Sequence, residues 1–197
     1  PAQNVIVLLV DTLRADKLRA YSPSSRVEAP TFERIAREGV LFEQAQSAEN
    51  WTKPACASVL TGLSPATHGA KTSEAVLPGA AEMVSEVFHD AGFATGSFIA
   101  NGYVSDRFGF DQGWDSYNNF IRDGRSTVAE DVLRTAGDFI EQHQNERFFV
   151  YVQAIDPHVP YDPPASFLRM YDPSNYAGPV QPRLTAELLE RAKQGRV

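Results

Sequence analysis

Two predominantly apolar runs constrain the fold of this chain most strongly. After Asn4, residues 5–10 are aliphatic and largely β-branched, and residues 148–154 mix aromatic and β-branched side chains. Runs of this length without polar alternation are typical of strands that are buried on both faces of a parallel sheet. Helical patterns lie between the two runs, and strands that alternate with helices indicate an α/β fold. We therefore predict a mainly parallel sheet that is flanked by helices.

The remaining elements follow from apolar periodicity and from the positions of proline and glycine. Further strands are predicted at residues 40–45 and 93–100. Helices are predicted at residues 30–39, 52–61, 78–91, 127–143 and 185–194. The segments 101–119 and 156–164 are interpreted as loops, and the second of these carries four prolines.

Composition excludes several classes of function. The net charge is −7 and the pI is about 5.1, which argues against sequence-independent binding to the phosphate backbone of nucleic acid. The single cysteine, Cys56, excludes an intrachain disulfide and a cysteine-rich zinc site, and it is interpreted as a buried structural thiol. The glycine-rich dinucleotide and P-loop motifs, the G-x-S-x-G motif and the H-E-x-x-H motif are all absent from the sequence.

Chemically capable side chains follow three of the predicted strands. Asp11 follows the first strand, Asn101 follows the strand at 93–100, and His158 lies shortly after the strand at 148–154. Ligands of open α/β sheets bind beyond the carboxyl ends of the strands. Asp11 is therefore either a ligand of a divalent cation or a turn cap. His158 is either an imidazole that flanking prolines hold in a functional direction or a solvated loop histidine.

Thr52 lies at the start of the predicted helix 52–61. The free N–H groups and the positive dipole end of a helix N-terminus suit a phosphate or sulfate group. The alternative is a plain N-cap threonine, which the local sequence alone favours.

Four segments taken in order resemble the sulfatase branch of the alkaline phosphatase superfamily, and together they extend over about three quarters of the chain. They are VLLVDTLRAD at 7–16, TKPACASVLTG at 52–62 with Pro65, His68 and Gly69, the stretch from AGFAT at 91–95 to GFDQGWD at 109–115, and DPHVPY at 156–161.

The resemblance implies a role for each candidate residue. Asp11 and Thr52 would bind a divalent metal (Ca, Mn, Zn or Mg), and Thr52 would be the nucleophile that forms a covalent ester. His158 would be a catalytic and substrate-binding residue at the leaving-group or non-bridging oxygen, and Asn101 a further substrate contact. Thr52 stands where the usual sulfatase has the cysteine that becomes formylglycine, so formylglycine chemistry is not expected. Cys56 stands at the place of the motif arginine, and Thr12 at that of a second aspartate.

The implied function is that of a metal-dependent hydrolase of phosphate, phosphonate or sulfate esters. The alternatives are a non-catalytic relative with the same fold and a phosphoglycerol-type transferase. The substrate would be a small-molecule, glycan or lipid ester, no nucleic acid partner is indicated, and the chain contains no membrane segment. The oligomeric state is left open.

The resemblance also implies ligands that this sequence does not contain. In the family, the remaining metal ligands lie in a later Asp-Asn-Gly or Asp-His-Gly segment, which does not occur between Tyr161 and Val197. We therefore expect residues 1–197 to be the N-terminal portion of one catalytic domain, inactive alone. No apolar run is long enough to span a bilayer. The sequence leaves the compartment open between the cytoplasm and the periplasm or exterior after signal removal.

Overall fold

The structure is a computed structural model that describes residues 4–172 and 184–196. Its strands are β1 (Val5–Val10), β2 (Ala94–Ile99), β3 (Ser116–Asn119) and β4 (Phe148–Ala154). Its helices are α1 (Pro30–Glu38), α2 (Thr52–Thr61), α3 (Pro65–His68), α4 (Val84–Asp90), α5 (Ala129–Gln142), α6 (Ala165–Tyr171) and α7 (Leu184–Lys193). Short 3-10 turns occupy Ala15–Lys17 and Asp106–Phe108.

The chain forms two compact units. The first comprises the residues up to Asp11 together with Gln46–Ile155 and holds the whole sheet. The second comprises Thr12–Ala45 and the residues from Asp156 onward. Within the second unit, the Arg26 side chain donates to the Tyr171 carbonyl, and the Tyr171 hydroxyl accepts the Glu28 N–H.

The first unit contains a four-stranded parallel sheet in the order β1-β4-β2-β3. Every residue of β4 is buried, as its apolar run predicts. Ile99 of β2 lies opposite Gln153, and Val10 of β1 lies opposite Ala154, so these three strands end together. The predicted α/β fold with a mainly parallel sheet is confirmed.

The burial predicted for β1 is wrong on one face. β1 is at the edge of the sheet, and among the described residues it pairs only with β4. Ile6 and Leu8, which share a face, are 55% and 47% exposed, whereas Val7 and Leu9 pack against the core. The helix α5 covers β2 and β4 but leaves this edge open. The apolar run at residues 5–10 therefore predicts the strand β1, but it does not predict that β1 lies at the edge of the sheet.

Side chains on the two faces of β4 enter two separate cores, because successive residues of a strand point to opposite faces. Tyr151 belongs to a cluster with residues of α2 such as Cys56 and Leu60. Val150 and Val152 belong to the second cluster, which α5 supplies with Val132 and Phe139. The sheet is thus sandwiched between α2 and its neighbours on one face and α5 on the other.

Three predicted elements need correction. Residues 40–45 are not a strand, and Val40 and Phe42 are 78% and 70% exposed. The helix predicted at 78–91 begins only at Val84, where the Glu86 carboxylate accepts the Met83 N–H at 2.7 Å. The loop predicted at 101–119 ends in the strand β3, whose polar sequence SYNN gives no apolar signal.

None of the helices in the described ranges is long and apolar enough to cross a membrane.

Candidate functional site

One carboxylate oxygen at the end of β1 gathers three side chains from three other elements. Asp11 Oδ2 accepts hydrogen bonds from Asn101 Nδ2 at 2.9 Å, from Thr52 Oγ1 at 3.2 Å and from Gln153 Nε2 at 3.2 Å. Asp11 and Asn101 are 8% and 4% exposed, and Gln153 is fully buried. The backbone holds Asp11 in place as well, since its N–H donates to the Ala154 carbonyl. The structure therefore brings together three of the four residues that the sequence singles out.

Thr52 is not the N-cap of α2. The cap position belongs to Trp51, which makes no side-chain capping hydrogen bond, and Thr52 is the first helical residue. Its hydroxyl donates to Asp11 instead of accepting from a helix N–H. The cap interpretation that local sequence favours is therefore wrong, because a tertiary partner competes for the hydroxyl.

Gln153 is the member of the cluster that the sequence analysis missed. Its amide oxygen accepts the Tyr151 hydroxyl at 3.2 Å, which fixes the orientation of the amide and directs the NH₂ group to Asp11. The signal was a polar residue inside the otherwise apolar run of β4, one residue before its end. The rule that ligands bind beyond the carboxyl ends of strands covers only the residues that follow each strand, and Gln153 lies within one.

Cys56 lies beside this network. Its sulfur is 3.9 Å from both the Gln153 amide oxygen and the Tyr151 hydroxyl. Burial raises the pKa of the thiol to about 12, so it stays protonated and is a poor nucleophile. The interpretation of Cys56 as a buried structural thiol agrees with its 2% exposure.

Lys53, the next residue after Thr52, is fully buried. Its ammonium donates to the Ser73 carbonyl at 2.7 Å and to the Ala75 carbonyl at 2.8 Å, and it lies 3.6 Å from the centroid of the Phe108 ring. Burial lowers the pKa of this group, and the nearby Glu74 carboxylate opposes the shift.

His68 fixes the far side of α2. Its Nδ1 accepts the Ala70 N–H at 3.1 Å, so the ring proton is on Nε2, which faces the Ser58 hydroxyl at 3.2 Å. Burial lowers the pKa of His68. This histidine is a buried structural group between α2 and the turn after α3.

His158 belongs to the second unit of the chain. It is half-buried, and its Nδ1–H donates to the Val159 carbonyl at 2.8 Å. With the proton on Nδ1, Nε2 is the acceptor nitrogen of a neutral ring. A cis peptide joins Val159 to Pro160 in this loop.

The oxygens at this site are of the type that bind a divalent cation such as Ca²⁺ or Mg²⁺. They are the Asp11 carboxylate and the Thr52 hydroxyl, 3.2 Å apart. Such ions take six or more oxygen ligands. Within residues 4–172 and 184–196 there is no group of three or more His, Cys, Asp or Glu side chains that could hold a metal. Asp11 and Thr52 therefore fit part of a coordination shell. Thr12, where the resemblance places a second aspartate, has a φ of 58°, which is rare for a β-branched residue.

A polar cavity of about 380 Å³ lies elsewhere in the first unit and is not lined by the Asp11 cluster. Its lining residues are Asp106, Asp111, Tyr117, Asn119, Arg122 and Asp123.

Comparison with known proteins decides the family. The model of the family described as Sulfatase matches residues 3–190. The chain belongs to the sulfatase family. The sulfatase-like branch of the alkaline phosphatase superfamily, which the four sequence segments indicated, is thereby confirmed.

Individual relatives agree with this sulfatase assignment. N-acetylgalactosamine-6-sulfatase of Sus scrofa is 24% identical over an alignment of 231 positions, gaps included. The alignment covers 90% of this chain and 44% of that protein. Among solved structures, the phosphonate monoester hydrolase of Agrobacterium radiobacter aligns with a TM-score of 0.69 at 20% identity, over 90% of this chain and 45% of that one. A protein solved in complex with its substrate D-glucosamine-2-N,6-O-disulfate aligns with a TM-score of 0.73 at 17% identity, over 90% and 39%. The chain spans less than half the length of each of these proteins.

Proposed function

We propose that the protein that contains this chain is a metal-dependent hydrolase that cleaves phosphate, phosphonate or sulfate esters through a covalent intermediate on Thr52. The observation that carries the proposal is the 3.2 Å hydrogen bond from Thr52 Oγ1 to Asp11 Oδ2 at the carboxyl end of a parallel strand. A hydroxyl at the first residue of a helix and a carboxylate at a strand end are the two parts that a nucleophile and its activating site require.

The chain's own residues supply the following chemistry in this proposal. The Thr52 hydroxyl, which donates to Asp11 Oδ2 at 3.2 Å, loses its proton to this carboxylate, and the oxygen attacks phosphorus or sulfur. The bond to the leaving group breaks, and the departing oxygen takes up a proton. Water then cleaves the Thr52 ester and regenerates the hydroxyl. The N-terminus of α2 offers its N–H groups and its positive dipole end to the charge on the transferred group.

Asp11 and Thr52 would hold the metal, and its chemistry would be to lower the pKa of the Thr52 hydroxyl. Asn101, whose amide donates to the same carboxylate, and His158, whose Nδ1–H donates to the Val159 carbonyl and leaves Nε2 as the acceptor nitrogen, are the proposed substrate contacts.

A non-catalytic relative is the second candidate, and one observation favours it. Asp11 Oδ2 accepts three side-chain donors, so the polar cluster is satisfied by the protein alone. Such a cluster can also serve as a purely structural junction between β1, α2 and β4.

Turnover separates the two candidates. The natural translation product that contains this chain would be incubated with aryl phosphodiester, phosphonate monoester and sulfate monoester substrates side by side. The hydrolase proposal predicts turnover of at least one class, loss of that turnover with a chelator, and recovery with Ca²⁺, Mn²⁺, Zn²⁺ or Mg²⁺. Thr52→Ala would abolish turnover and Thr52→Ser would retain part of it.

Thr61→Ala is the matched control because Thr61 lies at the other end of α2 and donates to the Ala57 carbonyl. Equal turnover by wild type and Thr52→Ala would contradict the proposed nucleophile. Absence of turnover with every ester and metal would favour the non-catalytic relative.

A further inference from the structure

The first turn of α2 is held weakly by its own hydrogen bonds. Its cap residue Trp51 supplies no side-chain acceptor for the free N–H groups of this turn. The first backbone bond of the helix, from Ala55 N to the Trp51 carbonyl, is long at 3.4 Å. A helix start without a cap loses about 1 kcal/mol relative to a capped one. Tertiary contacts must therefore fix this turn.

Two such contacts come from consecutive side chains. Thr52 reaches Asp11, as described above. Lys53 extends into a closed environment, where its ammonium has two carbonyl acceptors and the face of Phe108. Because an ammonium has three donors, the two carbonyls and the ring satisfy it almost completely.

The partners of Lys53 are themselves fixed. Phe108 is 6% exposed and belongs to the core cluster that contains Cys56 and Leu60 of α2. Its carbonyl accepts the Leu77 N–H at 2.9 Å, which ties the segment after Ala75 to the Asp106–Phe108 turn. The Lys53 ammonium thus ends in a well-packed part of the molecule. Removal of the ammonium would leave the two carbonyls without this donor.

We propose that Lys53 is a positioning residue for Thr52: its buried ammonium anchors the first turn of α2 to the Ser73 and Ala75 carbonyls and so holds the Thr52 hydroxyl at Asp11. The inference deepens the proposed function and rests on it for its kinetic consequence. A displacement of about 1 Å at a reacting group can cost about 100-fold in rate, which is the scale of effect expected from a loosened helix start.

The test compares Lys53→Met, which keeps the length of the side chain, with Lys71→Met, an exposed lysine in a neighbouring segment. Amide hydrogen exchange is measured on the full chain. Lys53→Met is expected to speed exchange about tenfold or more at Ala55 and Cys56 and at residues 75–77, while β4 stays protected. Lys71→Met is expected to leave all of these amides unchanged.

The ratio of the effects on kcat and KM distinguishes a positioning residue from one with a purely structural role. Lys53→Met is expected to lower kcat about 10- to 100-fold with KM within about twofold, because the nucleophile moves while substrate binding is kept. Faster exchange at residues 75–77 with α2 and kcat unchanged would overturn the proposal and make Lys53 a loop anchor only. If the wild type turns over no ester, the proposed function fails, and exchange at Ala55 and Cys56 still decides whether Lys53 anchors the helix start.

A milder variant covers the case in which Lys53→Met does not fold. Phe108→Leu removes the ring beneath the ammonium and keeps both carbonyls. It is expected to speed exchange at Ala55 and Cys56 by a smaller factor than Lys53→Met, because both carbonyl acceptors remain. Unchanged exchange in α2 would overturn the proposal.

Discussion

Thr52 and Asp11 are 41 residues apart in the chain, yet the Thr52 hydroxyl donates to the Asp11 carboxylate at 3.2 Å. This contact joins the start of a helix to the end of a strand, where parallel α/β folds place their ligands. Both side chains have stable alternatives, a helix cap for threonine and a turn for aspartate. The proposed function depends on the hydrogen bond that these two side chains form with each other instead.

Asp11 is expected to contribute to stability as well as to function. Asp11→Asn would weaken the hydrogen bonds from Thr52, Asn101 and Gln153, because a neutral amide oxygen replaces a charged acceptor. We expect a loss of about 1–3 kcal/mol in the free energy of unfolding, measured by urea denaturation. Asp111→Asn, at an exposed aspartate, is the control and should change this value by less than about 0.5 kcal/mol.

Gln153 is expected to require a neutral side chain. Gln153→Glu would set a second carboxylate about 3 Å from Asp11 and remove the donor between them. We expect a loss of about 3 kcal/mol near neutral pH in the presence of a chelator, which keeps cations from masking the repulsion. The control is Gln142→Glu at the exposed end of α5. Equal stability of the two variants would show that Gln153 does not hold Asp11.

His68 is expected to make the fold sensitive to acid. Burial holds its pKa below 6.5, so the unfolded chain takes up a proton at a higher pH than the folded chain does. The free energy of unfolding therefore falls as the pH drops from about 6.5 through the lowered pKa. Urea unfolding near pH 7.5 and near pH 5 should show this loss for the wild type.

His68→Gln should show a smaller loss over the same interval, because the titrating group is gone. An identical pH dependence in wild type and His68→Gln would assign the acid sensitivity to other groups.

Gly113 is expected to tolerate no side chain. Its φ is 72°, and a Cβ there would lie 2.3 Å from the backbone nitrogen of Glu86. Gly124 has a similar φ of 65° but open space around it. Gly124→Ala should therefore cost only the backbone strain of about 1 kcal/mol, whereas Gly113→Ala should cost about 3 kcal/mol or more. Thermal unfolding of the two variants separates close packing from backbone strain.

Local patterns predicted those elements whose ends carry strong signals. The helix α2 runs from Thr52 to Thr61 as predicted, because Pro54 lies in its first turn and Gly62 adopts a left-handed φ of 69° after its end. β4 is also correct in both bounds, because its aromatic and β-branched run begins at Phe148 and ends at Ala154, with Gln153 as the single polar residue. The strand β3 has no such signal: it is held by pairing to β2, a tertiary effect.

Part of the candidate site was predictable because two of its residues lie at the ends of predicted strands. Asp11 follows β1 and Asn101 follows β2, and these strands end level with each other on either side of β4, so the rule on strand ends finds both. Gln153 lies inside a strand and Lys53 inside a helix, and nothing in their local sequence tells which buried partner they meet. The contacts of such groups depend on residues 20 or more positions away, since Lys53 donates to the Ser73 backbone carbonyl and Gln153 donates to the Asp11 carboxylate.

The identity of the residue that carries the covalent ester tests the central claim most directly. The protein would be mixed with an activated ester that it turns over, quenched in acid during the steady state, digested and examined by mass spectrometry. We predict that the peptide with Thr52 carries the transferred phosphoryl, phosphonyl or sulfuryl group and that Thr52→Ala lacks it. Attachment of the group to another residue, or turnover with no modified peptide in the quenched samples, would contradict the account.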